Sequence, residues 1–279
     1  MDQYTTHIKA KTGWFDIDVK ELFQYKDLIL LLFKRNYVTR YKQTILGPLW
    51  LILNPLITVT LYALVFGNLA GLSASGTPQF VFYLCSNALW SFFATSLTQT
   101  SNTFTANSAI MGKVYFPRLV MPISSVLTGL VDLAIQLVLL VVIMIGYIVS
   151  GYHFPIGILL LSVPLLIFQT GILALGCGVI IAALTTKYRD LAILVGFGVQ
   201  LWMYATPVVY TSELIPEKYL YVYMLNPMAP IIECWRKAVI GAGTFTWFFW
   251  GISWITTFFV LFAGVVLFSK VEKTFMDTV

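Results

Sequence analysis

The side chains able to do chemistry in this 279-residue sequence are few, and most of them are basic. Cradling a nucleotide on a phosphate-binding loop requires G-x-x-x-x-G-K-[ST]. The Gly112-Lys113 pair is followed by Val114 and has no glycine five positions upstream, so that route is closed. The two histidines, His7 and His153, lie far apart and no H-E-x-x-H occurs, which removes the pattern of a helical zinc site. Ser73-Ala74-Ser75-Gly76 would need a base to make a nucleophile, and the last apolar stretch offers no histidine. Cys85, Cys177 and Cys234 sit in or beside apolar segments without C-x-x-C spacing and read as small buried residues. The expectation is a chain with no catalytic residue, no metal and no cofactor of its own.

Two kinds of side chain remain to be read: basic residues before the first apolar stretch, and polar or aromatic residues within the apolar stretches. Arg35, Arg40 and Lys42 stand just before the first long apolar stretch. Arginine forks match phosphate oxygens, and basic residues beside a membrane attract anionic lipid. The same residues also fit simple marking of the cytoplasmic side. Asp132 lies within an apolar stretch, where a carboxylate must find water, a partner or a proton. Protonated packing, a bond to a neighbouring hydroxyl and a place on a conduit all remain open for it. Aromatic rings beside polar residues suit the C–H faces and hydroxyl edges of sugars, and lipid-facing or packing roles fit them equally.

The elements that position these groups follow from composition. With 59% apolar and 10% charged residues, against ~25% charged in soluble domains, a water-soluble fold is excluded. Six apolar spans are predicted, at Leu49–Leu69, Phe80–Thr100, Leu119–Val149, Ile156–Leu184, Leu191–Tyr210 and Trp247–Phe268. The third and fourth exceed a bilayer's need, so they tilt, protrude or kink, with Pro122 and Pro164 as kink candidates. On this topology fourteen of the seventeen basic residues share one side, and only Lys218, Arg236 and Lys237 fall on the other. The positive-inside rule then places both termini in the cytoplasm.

The first 27 residues have no apolar core of a cleaved signal, and residues 1–48 are expected to form a cytoplasmic arm. From Lys20 to Arg40, Leu22, Tyr25, Ile29, Leu32 and Phe33 share a helical face, with Leu31 interrupting the polar side. That pattern predicts a basic amphipathic helix at the membrane interface, with a cytoplasmic helix packed on a partner as the rival. Residues 49–279 form one transmembrane domain. Within it, 211–243 is too polar to span and too apolar for a free loop. One short helix begins at Pro216 and ends near Asn226-Pro227; a second runs from Pro230 to Ile240 with Gly241 past its end. The second is ~16 Å long, about half a bilayer core, and Glu233 and Lys237 can pair across one turn. The pair is read as an outer re-entrant gate.

The run Arg40-Tyr41-Lys42-Gln43-Thr44-Ile45-Leu46-Gly47-Pro48-Leu49-Trp50, followed by Asn54-Pro55, resembles the start of polysaccharide-exporting ABC transporter permeases. These are the type-2 ABC membrane subunits for O-antigen, capsule or teichoic acid. The resemblance continues through Lys113-Val114-Tyr115-Phe116-Pro117-Arg118, Lys187-Tyr188-Arg189-Asp190, Thr206-Pro207-Val208-Val209-Tyr210 and Leu225-Asn226-Pro227-Met228. Each segment alone is a weak signal, and their order along nearly the whole chain is a strong one.

The resemblance implies an all-α permease that pairs as a homodimer in a bacterial inner membrane. Two separate ABC ATPase subunits would dock on its cytoplasmic face and carry ATP and Mg. The substrate class implied is a polyprenyl-pyrophosphate-linked glycan, with no nucleic acid involved. Lys113, Tyr115, Phe116, Pro117 and Arg118 would form the coupling contact with the ATPase, and Lys187, Tyr188, Arg189 and Asp190 a second one. Positive-inside topology explains both basic loops as well. First and fifth spans would line the conduit, which puts Asn54, Thr58, Tyr62, Gln200, Trp202 and Tyr204 there, with Trp90 from span two. Arg35, Arg40 and Lys42 would meet the substrate, and Pro207, Tyr210, Pro227, Glu233 and Lys237 belong to the outer gate. The rival functions are an ABC exporter of another amphipathic substrate (lipid or drug) and a secondary transporter.

Overall fold

The computed structural model describes residues 19–42, 44–72, 76–111, 116–155, 157–188 and 190–278. Among them all regular structure is helical. An N-terminal arm carries α1 (Val19–Gln24) and α2 (Lys26–Tyr41), separated by a break at Tyr25. The bundle follows with α3 (Trp50–Tyr62), α4 (Gln79–Ser101), α5 (Thr103–Met111), α6 (Val120–Val149), α7 (Val163–Lys187) and α8 (Leu191–Tyr204). Two short helices, α9 (Glu217–Met224) and α10 (Met228–Ile240), precede the closing α11 (Trp247–Thr278).

Five stretches are long and apolar enough to cross a bilayer: Gly47–Leu69, Gln79–Ser101, Val120–Val149, Leu159–Thr186 and Trp247–Val271. The fifth predicted span differs. Its helix, α8, stops at Tyr204 after 14 residues, ~21 Å, and the chain continues irregularly through Ala205–Tyr210, buried at Thr206–Val209. Pro207 explains the stop, because its ring disfavours helical backbone just before it and removes an amide donor. The two prolines expected to kink long helices do not. Pro122 and Pro164 both occupy a first helical turn, where a missing N–H has no carbonyl to lose.

Span one starts on Gly47, which holds a φ of +48° that a side chain would resist, with Pro48 next in the first turn. It ends in a π-helical stretch, Ala63–Leu69. There Gly67 lies so close to α4 that an added Cβ would come within 2.6 Å of the Gln79 carboxamide oxygen.

Helix α4 is buried along most of its length, between α6, α7 and α10. Helix α7 is in turn held between α4 and α11. Where α7 meets α11 the backbones touch: a Cβ on Gly176 would lie 2.9 Å from the Leu261 Cα, and one on Gly264 would lie 2.6 Å from the Gly176 carbonyl oxygen. Small residues permit that approach in membrane bundles, where packing and not hydrophobic exclusion drives association. A separate apolar cluster closes the end of the bundle next to the arm, where Leu32 of α2 joins Phe104, Phe116, Val120 and Phe268. Leu22, Tyr25, Leu28 and Ile29 line its edge. The predicted apolar face of the arm is therefore the face turned to the bundle, while Leu30 and Leu31 point outward.

Candidate functional site

Three groups of polar side chains stand out: at the outer cap, along the wall between α3, α4 and α8, and where the arm meets α6.

At the outer cap, α10 begins after Pro227 and ends on Gly241 in the left-handed conformation. Its outer-face chemistry is not the expected Glu233–Lys237 pair. Glu233 forms an ion pair with Arg236 one turn on, and both side chains are buried. The Glu233 carboxylate also accepts the backbone N–H of Ser212 (3.0 Å) and of Thr244 (2.9 Å). Arg236 donates to the Tyr210 carbonyl at 2.9 Å and lies 4.7 Å over the Phe82 ring. Lys237 is exposed and reaches the Gly241 carbonyl at 3.3 Å. The reason is steric: α10 is buried on every side except that of Lys237, so Arg236 is the base facing inward. Trp235 fixes the helix to α4 by donating to the Cys85 carbonyl at 2.9 Å.

The end of α8 is held by Asn226. Its Oδ1 accepts Trp202 Nε1 (2.9 Å) and the Met228 N–H (3.2 Å), and its Nδ2 donates to the Ala205 carbonyl and Thr206 Oγ1, both at 3.0 Å. Pro227 adds a link to α11, its carbonyl accepting Ser253 Oγ at 2.8 Å. Tyr223 donates to Tyr210 Oη at 3.0 Å, and burial followed by this hydrogen bond raises the Tyr223 phenol above its ordinary value, so it stays protonated. Tyr210 in turn donates to the Tyr204 carbonyl at 2.9 Å. Replacing Asn226 with alanine takes the acceptor from Trp202 Nε1 and the Met228 N–H and a donor from the Ala205 carbonyl, while Thr206 Oγ1 keeps its bond to the Trp202 carbonyl. The expected loss is about 2 kcal/mol, read as a lower melting temperature of the detergent-purified chain, with α10 still helical.

Along the wall, Tyr62 donates to Met203 Sδ at 3.2 Å and meets Tyr83 edge-on at 6.3 Å. Trp202 stands edge-on to Phe93 at 5.1 Å. Tyr204 and Gln200 are exposed on α8, Asn54 is exposed on α3, and Thr58 is half-buried. Trp90 is 4% exposed and lies tilted against Phe93 in the bundle interior. Polar residues along α4 and α6 are inward too, with Thr98, Ser125 and Thr128 donating to carbonyls of their own helices.

Where the arm meets the bundle, Arg35 donates to Asn107 of α5 at 3.0 Å. Arg40 forms an ion pair with Asp132 of α6, so the intramembrane carboxylate has found a guanidinium from the arm, a partner outside the three readings left open. Lys42 is exposed. Of the predicted coupling residues, Lys113, Tyr115 and Arg189 and the Lys187 side chain lie outside what the structure describes. Phe116 is buried in the apolar cluster around Leu32. Pro117 and Arg118 are half-buried, and Tyr188 and Asp190 are exposed. Sequence reasoning missed Arg236, Asn226 and Gln169. Gln169 is buried between helices, accepting Trp250 Nε1 and donating to Ser253 Oγ, each at 2.9 Å. A glutamine inside an apolar helix was the available signal for it.

Several apolar helices of spanning length among the described residues make this a multi-span membrane protein. The chain belongs to the ABC-2 type transporter family, whose pattern matches residues 27–240. It is 30% identical over 253 residues to an O-antigen export system permease protein RfbA of Klebsiella pneumoniae, covering 90% of this chain and 94% of that protein. A second Klebsiella pneumoniae protein of that name is 28% identical over 252 residues, with the same coverage. The protein of that name from Myxococcus xanthus is 32% identical over 221 residues, 78% of this chain and 82% of the relative.

Proposed function

We propose that this chain is the permease subunit of an ATP-driven ABC exporter that moves a lipid-linked cell-surface polysaccharide out of the cytoplasm. The observation that carries the reading is the near full-length match to O-antigen export permeases, in a chain that matches the ABC-2 type transporter family. The working unit is a homodimer with two copies of an ABC ATPase, which hold ATP and Mg. Its place is the bacterial inner membrane, six spans with both termini cytoplasmic and α9–α10 as a re-entrant outer gate. The fourteen basic residues on one side favour that orientation. The substrate is a polyprenyl-pyrophosphate-linked glycan of the O-antigen, capsule or teichoic acid type. Arg35, Arg40 and Lys42 stand on its entrance side, and Tyr62, Gln200, Trp202 and Tyr204 along its path.

The test combines capture and depletion. The detergent-extracted chain is expected to retain an ATPase carrying a phosphate-binding loop, and depletion of the chain is expected to accumulate lipid-linked glycan inside the cell. Transport by the purified chain alone under an ion gradient would overturn the reading. Accumulation of a lipid or drug with no glycan would keep the ABC permease and replace its substrate.

A further inference from the structure

The Arg40–Asp132 ion pair is lopsided. The Arg40 side chain keeps 38% of its surface exposed, while the Asp132 side chain keeps 9%. A carboxylate so enclosed needs its cation, whereas the cation is half open to whatever arrives from outside. Beyond Asp132, α6 runs on through Leu133–Val149, about 25 Å of apolar helix. The pair therefore stands at the inner edge of the apolar layer, at headgroup height. Lys42, two residues past Arg40, is exposed and offers a second cation.

We infer that Arg40 is an exchange residue: Asp132 holds it when the site is empty, and the diphosphate headgroup of an isoprenoid-carried substrate displaces Asp132 to take it. This rests on the proposed function and adds the regulation of its entrance site. A diphosphate brings more negative charge and more acceptor oxygens than one carboxylate, and the arginine fork accepts either. Exchange has a mechanical consequence. Helix α2 is tied to α6 through Arg40 and to α5 through Arg35 and Asn107. Headgroup capture unlocks the first tie and leaves the second, and Leu32 of α2 stays packed with Val120 and Met121 of α6, so an occupied site loosens the arm at its Arg40 end alone.

The exchange makes Asp132 a competitor of the substrate, which a purely structural ion pair is not. The test uses the full chain with its ATPase partner in phosphatidylcholine nanodiscs, titrated with undecaprenyl pyrophosphate or with inorganic pyrophosphate. Asp132→Asn is expected to bind the lipid about fivefold tighter, the equivalent of ~1 kcal/mol for one freed juxtamembrane cation. Arg40→Gln combined with Asp132→Asn keeps a neutral hydrogen-bonding pair for folding and is expected to lose that binding. Asp132→Glu, which keeps the charge, is expected to bind as the unaltered protein does. Equal or weaker binding by Asp132→Asn overturns the inference, as does unaltered binding by the double variant. Inorganic pyrophosphate binding as tightly as the lipid would overturn the isoprenoid-carried source. A complex that exports glycan but shows no Asp132 effect refutes the exchange alone, and one that exports no glycan refutes the function.

Discussion

Arg236→Met destabilises the folded chain by about 3–5 kcal/mol, the range for removing one partner of a buried ion pair. Its neighbour Lys237→Met changes stability by no more than about 0.5 kcal/mol, as expected for an exposed side chain. The two positions carry the same charge one residue apart, and the difference is burial. Removing the guanidinium leaves the Glu233 carboxylate in the protein interior with two backbone N–H donors and no countercharge. It also releases the Tyr210 carbonyl and uncovers the face of Phe82. Arg236→Lys keeps a charge but loses the planar fork and the stacking, so its loss falls between the other two. Unfolding in detergent, followed by tryptophan fluorescence, ranks the three variants. Equal loss at Arg236 and Lys237 would show that the cap is held by net charge and not by this pair.

That contrast also shows what the sequence could and could not reveal. The end of α10 was legible because backbone rules are local, with Gly241 past it in the left-handed conformation; its start lies at Met228 after Pro227, two residues before the expected Pro230. Its ion pair was not, because Arg236 and Lys237 lie three and four residues from Glu233, both within helical reach, and the choice depends on which face α4 covers. The apolar spans were legible from composition, since a membrane demands long uncharged runs. The short α8 was not, because its apolar run continues through Tyr210 while its helix yields to Pro207. Asp132 was legible as costly, but its partner lies 92 residues away on a helix of the arm. The burial of Trp90 was not legible, because having a polar neighbour such as Asn87 does not say which way a helix face turns, and both side chains are buried.

Glycines separate the parts of this molecule that are fixed from those left open, and one substitution at two of them tests the division. Gly176→Leu is expected to cost about 3 kcal/mol or more, the upper range for overpacking. Its Cβ would meet the Leu261 backbone at 2.9 Å, and a backbone cannot rotate aside as a side chain can. The two helices must separate, which undoes the hold of α7 on α11 and, through Gln169 and Ser253, the link to the outer cap. Gly196 of α8 is the opposite case, with nothing within 4 Å of an added Cβ and the residue exposed. Gly196→Leu gains about 0.5–1 kcal/mol of helix propensity and displaces nothing within the chain. Its expected effect is on transport: on the proposed reading α8 borders the path or the second copy, so a bulky side chain there lowers glycan export without lowering the melting temperature. Melting curves and an export assay on both variants decide it. Full export by Gly196→Leu would turn that face of α8 to lipid, and would move the path to the Tyr62 side of the aromatic wall.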